Sequence, residues 1–189
     1  DSVVQHATAD EVETEIRQQI KRALQMGFKP THLDSHMGTL FASPAFLQRY
    51  IKVGMEYQIP VMFPGGHATL IQEQNRIPEP FAQTIRVLGR QLWQAGLPVL
   101  DDLHNRSYEW KLPAGIEPTE KNWRTYKTRE FIAALQLIKP GLTMMIMHCT
   151  RPSAVFPFIS DSGPTRKGDL LAMMDPAFKQ ALADQKILL

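Results

Sequence analysis

At 189 residues the chain has the length of one domain and can bury roughly 70% of its unfolded surface. Its apolar content of 43% and charged content of 21% are ordinary for a globular protein, and a net charge of +2 without any Lys/Arg-rich run argues against nucleic acid as a partner. No apolar stretch approaches the ~18–20 residues of a bilayer-spanning helix, so no membrane partner is expected. The single cysteine, Cys149, excludes an internal disulfide and a cysteine-cluster zinc site. That usage suits the cytoplasm and leaves export open.

The elements follow one another as helix, short apolar run and polar loop. The first helix opens with a capping box, Thr8 with Glu11, runs through Val12, Ile16, Ile20 and Leu24, and ends at Gly27. His32 to Asp34 follow as a strand. A second helix starts at Ser43-Pro44 and continues to about Gln58. Pro60 to Phe63 is the next apolar run, leading into the Pro64-Gly65-Gly66 turn. A third helix covers Pro80 to Ala95, and Pro98 to Leu100 forms a strand closed by Asp101-Asp102. A fourth helix spans Thr119 to Ile138. Leu142 to Met147 is the strongest strand candidate, with the continuous apolar run of a strand buried on both faces. Thr165 to Gln185 is helical with a break at Asp175-Pro176, and Ile187 begins a fifth strand. The chain opens at Asp1 with no initiator Met and stops in that apolar run, as a piece of a longer protein would. Strands alternating with long helices predict parallel βα units in an α/β fold.

The chemistry-bearing residues fall at the C-terminal ends of these strands, the rim where parallel α/β folds carry their sites. Thr31-His32-Leu33-Asp34-Ser35-His36 sets two histidines and an aspartate at alternate positions, on one face of an extended segment. His36, just past the strand end, suits a metal ligand at a centre that keeps a position open for water. Three roles are open to Asp34: orienting a ligating histidine, binding the metal itself, or capping the following turn. His32, earlier in the strand, fits a hydrogen-bonded core histidine. His148 ends the apolar run Met144-Met145-Ile146-Met147, where an imidazole suits a general acid. Cys149 beside it has no activating partner and is assigned to packing. Arg151, in the next loop, can hold a carboxylate or a sugar hydroxyl. Asp101 and Asp102 can form an acid–base pair or serve as ordinary loop residues. His67 and His104 are placed in loops, where each can contact substrate but fits an ordinary loop residue better. Of the three tryptophans Trp110 is the best sugar-stacking surface, because it lies in a loop beyond a rim, whereas Trp93 fits a core position.

The segment Thr31–His36, the later Met145-Ile146-Met147-His148 and the tail Arg166-Lys167-Gly168-Asp169-Leu170-Leu171 through Leu189 together resemble the YdjC/ChbG group of carbohydrate deacetylases. The resemblance spans the chain from about Asp10. It implies a TIM-barrel-like (β/α) barrel with fewer than eight regular strands, residues 1–189 being one catalytic domain that forms about the C-terminal two-thirds of the barrel. It also implies hydrolytic removal of acetyl groups from N-acetylated sugars, such as chito-oligosaccharides, at a divalent metal (zinc or magnesium), and a homodimer. In this comparison His36 matches the metal-ligand histidine of an HxDxH segment and His148 the proposed catalytic acid. Asp34 is the carboxylate of that segment, assigned here with His148 to the catalytic set, and Arg151 and Trp110 are assigned to substrate.

Two departures accompany the resemblance. The family often carries a further histidine two residues after HxDxH, where this chain has Gly38. Its N-terminal aspartate pair and the following ligand histidine have no counterpart here and are expected before Asp1. A catalytically silent glycan-binding barrel and a metal-dependent hydrolase of another substrate are the alternative functions.

Overall fold

The computed structural model describes residues 2–189, in the order α1 (Ser2–His6), α2 (Ala9–Gln25), a 3-10 helix (His36–Ala42), α3 (Pro44–Tyr57), α4 (Thr69–Gln74), α5 (Glu79–Gln94), β1 (Asp102–His104), a 3-10 helix (Ser107–Glu109), α6 (Glu120–Leu135), β2 (Thr143–Met145), a 3-10 helix (Phe156–Phe158), α7 (Gly163–Met173) and α8 (Pro176–Asp184). It is a helix-rich α/β fold whose strand pairings are parallel: Leu33 with Val61, Pro64 with Leu100, and β1 with β2. The first two are single bridges and the third is a two-stranded sheet, and each joins extended segments consecutive along the chain, as βα units require. Two compact units make up the chain, one formed by residues up to Ala68 with Pro78–Asp101, the other by Thr69–Ile77 with Asp102–Leu189.

In the first unit, α2 begins as its sequence dictates. Thr8 Oγ1 accepts from the Glu11 amide at 3.3 Å while Glu11 Oε2 accepts from the Thr8 amide at 2.8 Å, so the cap is reciprocal. At the far end Gly27 adopts φ +77, where a side chain would be strained. Ile20 packs with Val53 of α3 and Ile59, and a second cluster joins Tyr50, Val61, Phe63, Leu92 and Leu97. Burying each such side chain contributes about 1.5–3 kcal/mol. The buried Tyr50 hydroxyl donates to the Leu33 carbonyl at 2.6 Å and accepts from the Met62 amide at 3.0 Å, which ties α3 to the paired segments. Burial, reinforced by the charge of Asp34, raises its pKa.

The second unit is organised around α6, against which α7 and α8 pack. Phe131 and Leu135 of α6 meet Ala172, Phe178 and Leu182, with Trp110, Met145 and Ile187 at the margin. Asp175 breaks the C-terminal helix as its sequence predicts. Its carboxylate accepts from the Ala177 amide at 3.0 Å and so caps α8.

Several expectations need correction. The Leu142–Met147 strand is only Thr143–Met145, and all of its residues are half-buried instead of buried on both faces. Among the described residues β2 pairs only with β1, so its hydrophobicity reflects packing on α6 and not a two-sided sheet. The strand beginning at Ile187 is absent from the described residues; Ile187 packs on the Phe131 cluster, and Leu188 and Leu189 are exposed. Asp102 and His104 do not lie in loops but are the first and last residues of β1, both buried. The short helices α1 and α4 carry no periodic apolar pattern and escape sequence reading.

Candidate functional site

In the first unit, a single β-bridge at Leu33 replaces the expected strand, yet its alternation holds: Leu33 is half-buried and Ser35 buried, while His32, Asp34 and His36 are exposed. His32 is therefore not a core histidine; its Nδ1 lies 3.0 Å from Thr31 Oγ1 at the surface. The following turn is held by Ser35, whose hydroxyl accepts from the Leu40 amide at 2.9 Å and whose carbonyl accepts from the Gly38 amide at 2.8 Å. The chain bends at Met37 (φ 55) and Gly38 (φ 70), both left-handed, so Gly38 takes a conformation there that a histidine adopts only with strain.

In the second unit, His148 leaves the end of β2 half-buried. Its main-chain N–H donates to Asp169 Oδ2 at 2.9 Å, and its ring meets Tyr108 edge-on with centroids 5.2 Å apart. The Arg166 guanidinium lies 5.5 Å from the centroid of the Tyr108 ring and 5.9 Å from that of Phe156, and its Nε donates to Ser162 Oγ at 2.8 Å. Hydrogen bonds from Ser162 and then Arg166 draw the Tyr108 hydroxyl below its ordinary pKa. Arg166, Tyr108 and His148 thus form a polar column at the mouth of β2.

Beneath it lies a buried ion pair. Lys127 Nζ is 2.9 Å from Asp169 Oδ1, with both side chains at most 2% exposed, and it donates to the Ser107 carbonyl at 2.7 Å. Burial lowers the pKa of Lys127 more than the Asp169 bond raises it. Neither Lys127 nor Tyr108 stands out in the sequence: a lysine inside a helix is normally solvated, and only the fold buries this one. Asp169 is visible there only as part of the tail motif.

The remaining candidates are placed as follows. Trp110 is half-buried, its ring 5.4 Å from His104 and 4.9 Å from Phe131, with the Lys127 ammonium 5.5 Å from its centroid. Arg151 is exposed in the loop after His148. Cys149 is exposed instead of packed, and desolvation followed by the charge of Asp169 raises the pKa of its thiol. Trp93, expected in the core, is 67% exposed.

Asp102 is corrected as half of an acid–base pair. Fully buried, it accepts from the amides of Leu70 (2.8 Å), Ile71 (3.2 Å) and Leu103 (2.9 Å), so it anchors the first turn of α4 to β1. His104 lies in the same strand, and burial lowers the pKa of its ring, which favours a neutral imidazole. Among the described residues no three His, Cys, Asp or Glu side chains are grouped to hold a metal. The residues present do not by themselves fit a metal centre. Nor, among them, is any helix long and apolar enough to cross a membrane.

Comparison with known proteins places the chain in a family. The carbohydrate deacetylase of Thermus thermophilus is 28% identical over 178 residues, covering 94% of this chain and 58% of that protein. The carbohydrate deacetylase of Brevibacillus brevis is 41% identical over 58 residues, 31% of this chain and 23% of that protein. The chain therefore spans little more than half the length of the longer-matching relative. A solved Enterococcus faecalis structure, named as a candidate cellobiose-phosphate cleavage protein, superposes with a TM-score of 0.66 at 15% identity. It covers 98% of this chain and 60% of its own, and it shares the fold. The family model described as YdjC-like protein matches residues 1–184, and the chain belongs to that family.

Proposed function

We propose that the protein hydrolyses the acetamide of N-acetylated sugars such as chito-oligosaccharides, with His148 as the acid that protonates the departing amine. The observation that carries this reading is the setting of His148: an imidazole at the mouth of a strand, pinned through its own main-chain N–H by a buried carboxylate and braced against Tyr108. The relatives named carbohydrate deacetylases support the substrate class. In the reaction, water adds to the acetyl carbonyl and the C–N bond breaks, and of the water's two protons one leaves to solvent and one restores the imidazolium for the next turnover. The proton of the His148 imidazolium passes to the leaving nitrogen, giving acetate and the free amino sugar. General-acid assistance of this kind is worth about 10²–10⁴ in rate. Arg151 and Trp110 are proposed to contact the sugar.

Dependence on a divalent metal, zinc or magnesium, belongs to the proposal for the full-length protein, with the exposed His36 as one ligand and Asp34 as the carboxylate on the same face. The described residues supply no complete ligand set, so the steps above run only through His148. The proposal extends to a TIM-barrel-like barrel, of which residues 1–189 form part of the catalytic domain, and to a homodimer.

The test is acetate release from N-acetylated chito-oligosaccharides by the full-length protein, after chelation and after divalent metals are added back. Release restored by zinc or magnesium, and lowered at least about 100-fold by His148→Ala with metal content unchanged, is expected. Absence of release with every metal would refute deacetylation and leave glycan binding, whereas equal loss of turnover and metal content in His148→Ala would refute the acid role.

A further inference from the structure

Two charged groups in the second unit are buried without taking part in the proposed reaction, and both reach the segments that carry His148 and Tyr108. Asp169 divides its oxygens: Oδ2 accepts the His148 amide at 2.9 Å, and Oδ1 faces Lys127 Nζ at 2.9 Å. Lys127 in turn donates to the Ser107 carbonyl at 2.7 Å, one residue before Tyr108, and Ser107 Oγ donates to the Ile146 carbonyl at 2.5 Å, two residues before His148. The route therefore closes on itself, from His148 through Asp169, Lys127 and Ser107 back to the His148 strand. Helix α7 comes close enough to place Asp169 there because Gly168 has no side chain. A Cβ at that position would stand 2.9 Å from Lys127 Cγ and 3.0 Å from the Trp123 ring.

A buried ion pair is poor value as a source of stability, because desolvation of both charges offsets their attraction. Its geometry here has a different use: it fixes two loops with the directional bonds of charged groups. We propose that Asp169 and Lys127 are positioning residues for His148, the carboxylate setting the main chain from which the imidazole projects and the ammonium setting the turn that presents Tyr108 to its ring. This inference rests on the reading of His148 as the acid. Among the described residues, Tyr108 on the 3-10 helix meets the His148 ring, Asp169 on α7 meets its main-chain N–H, Arg166 on α7 and Lys127 on α6 lie behind these two, and Cys149 follows it in the chain.

The experiment compares Asp169→Asn and Lys127→Met in the full-length protein. Each is expected to lower kcat about tenfold or more, the scale at which a small misplacement acts, with KM within about twofold. Asp169→Asn leaves an unbalanced positive charge, which disfavours the imidazolium, so the alkaline limb of the kcat profile moves to lower pH. Lys127→Met leaves an unbalanced negative charge, and the limb moves to higher pH. A merely structural pair would lower kcat equally at every pH with the limb unmoved, and that result would overturn the proposal. If a single variant does not fold, the double variant Lys127→Met/Asp169→Asn buries no net charge. Its limb is expected at the wild-type pH with kcat still reduced about fivefold or more and KM within about twofold, since the tether to Ser107 is gone; wild-type kcat, or a KM that rises along with the fall in kcat as in a general loss of structure, would overturn the proposal. The His148 ring titration followed by NMR is expected to move in the same two opposite directions whether or not the protein deacetylates. Failure of the positioning role is thereby separated from failure of the proposed reaction, which the acetate assay of His148→Ala decides.

Discussion

Replacing Asp102 with alanine is predicted to destabilise the second unit by about 4–5 kcal/mol, although the residue takes no part in the proposed chemistry. Its carboxylate is fully buried and accepts at least three main-chain bonds, from Leu70 at 2.8 Å, Ile71 at 3.2 Å and Leu103 at 2.9 Å. Hydrogen bonds to a charged group contribute about 1.5–3 kcal/mol each. Simple addition gives about 4.5–9 kcal/mol, and the lower end applies because Leu70 and Ile71 share one helical turn and their losses are not independent. Asp102→Asn keeps one acceptor oxygen and turns an amide NH2 toward a main-chain donor, so about 2 kcal/mol is expected. Urea unfolding reads both. With a slope of about 2 kcal/mol/M, the midpoint falls by about 2 M for Asp102→Ala and about 1 M for Asp102→Asn. Amide hydrogen exchange at Leu70 and Ile71 supplies the local measurement that a chain of two units needs. If Asp102→Asn left the midpoint within about 0.2 M and abolished turnover, the capping argument would be wrong and Asp102 would return to an acid–base role.

Two further predictions concern the first unit. Glu13, bonded first by Lys52 and then by Arg17, has its pKa lowered to about 2, so its bridges stabilise the fold fully above the ordinary carboxylate value near 4.5 and are lost as pH falls through about 2; Glu13→Gln should be less stable than the parent by chemical denaturation at neutral pH, with the difference shrinking as pH falls toward the folded value, and a pH-independent difference would contradict the assignment. At Gly89 a Cβ would lie 2.0 Å from the Gly65 carbonyl oxygen, a clash with main chain that no rotamer relieves, so Gly89→Ala should cost about 3 kcal/mol, and an unchanged thermal melt would show that α5 can shift away.

Local signals in the sequence determined the long helices, though not α1 and α4. The capping box at Thr8–Glu11, the Ser43-Pro44 start, Thr119 before α6 and the Asp175-Pro176 break each satisfy or deny main-chain groups within a few residues, so no distant contact is needed to specify them. The alternation through Thr31–His36 likewise set Asp34 and His36 outward, since side-chain direction in an extended segment follows from chain geometry alone. Strand extent was not legible, because a ladder exists only where a partner lies alongside, and Leu142–Met147 pairs over three residues. Burial of charge was equally hidden. Asp102 and Lys127 look like solvated residues in sequence, and each is buried only because separate segments bring its partners: the amides of Leu70 and Ile71 to Asp102, Asp169 and Ser107 to Lys127. The sequence could nominate His148 from its place after an apolar run. The tertiary structure alone decided what holds it, since Asp169 and Tyr108 reach it from two other elements, and no local pattern encodes a bond between residues so far apart in the chain.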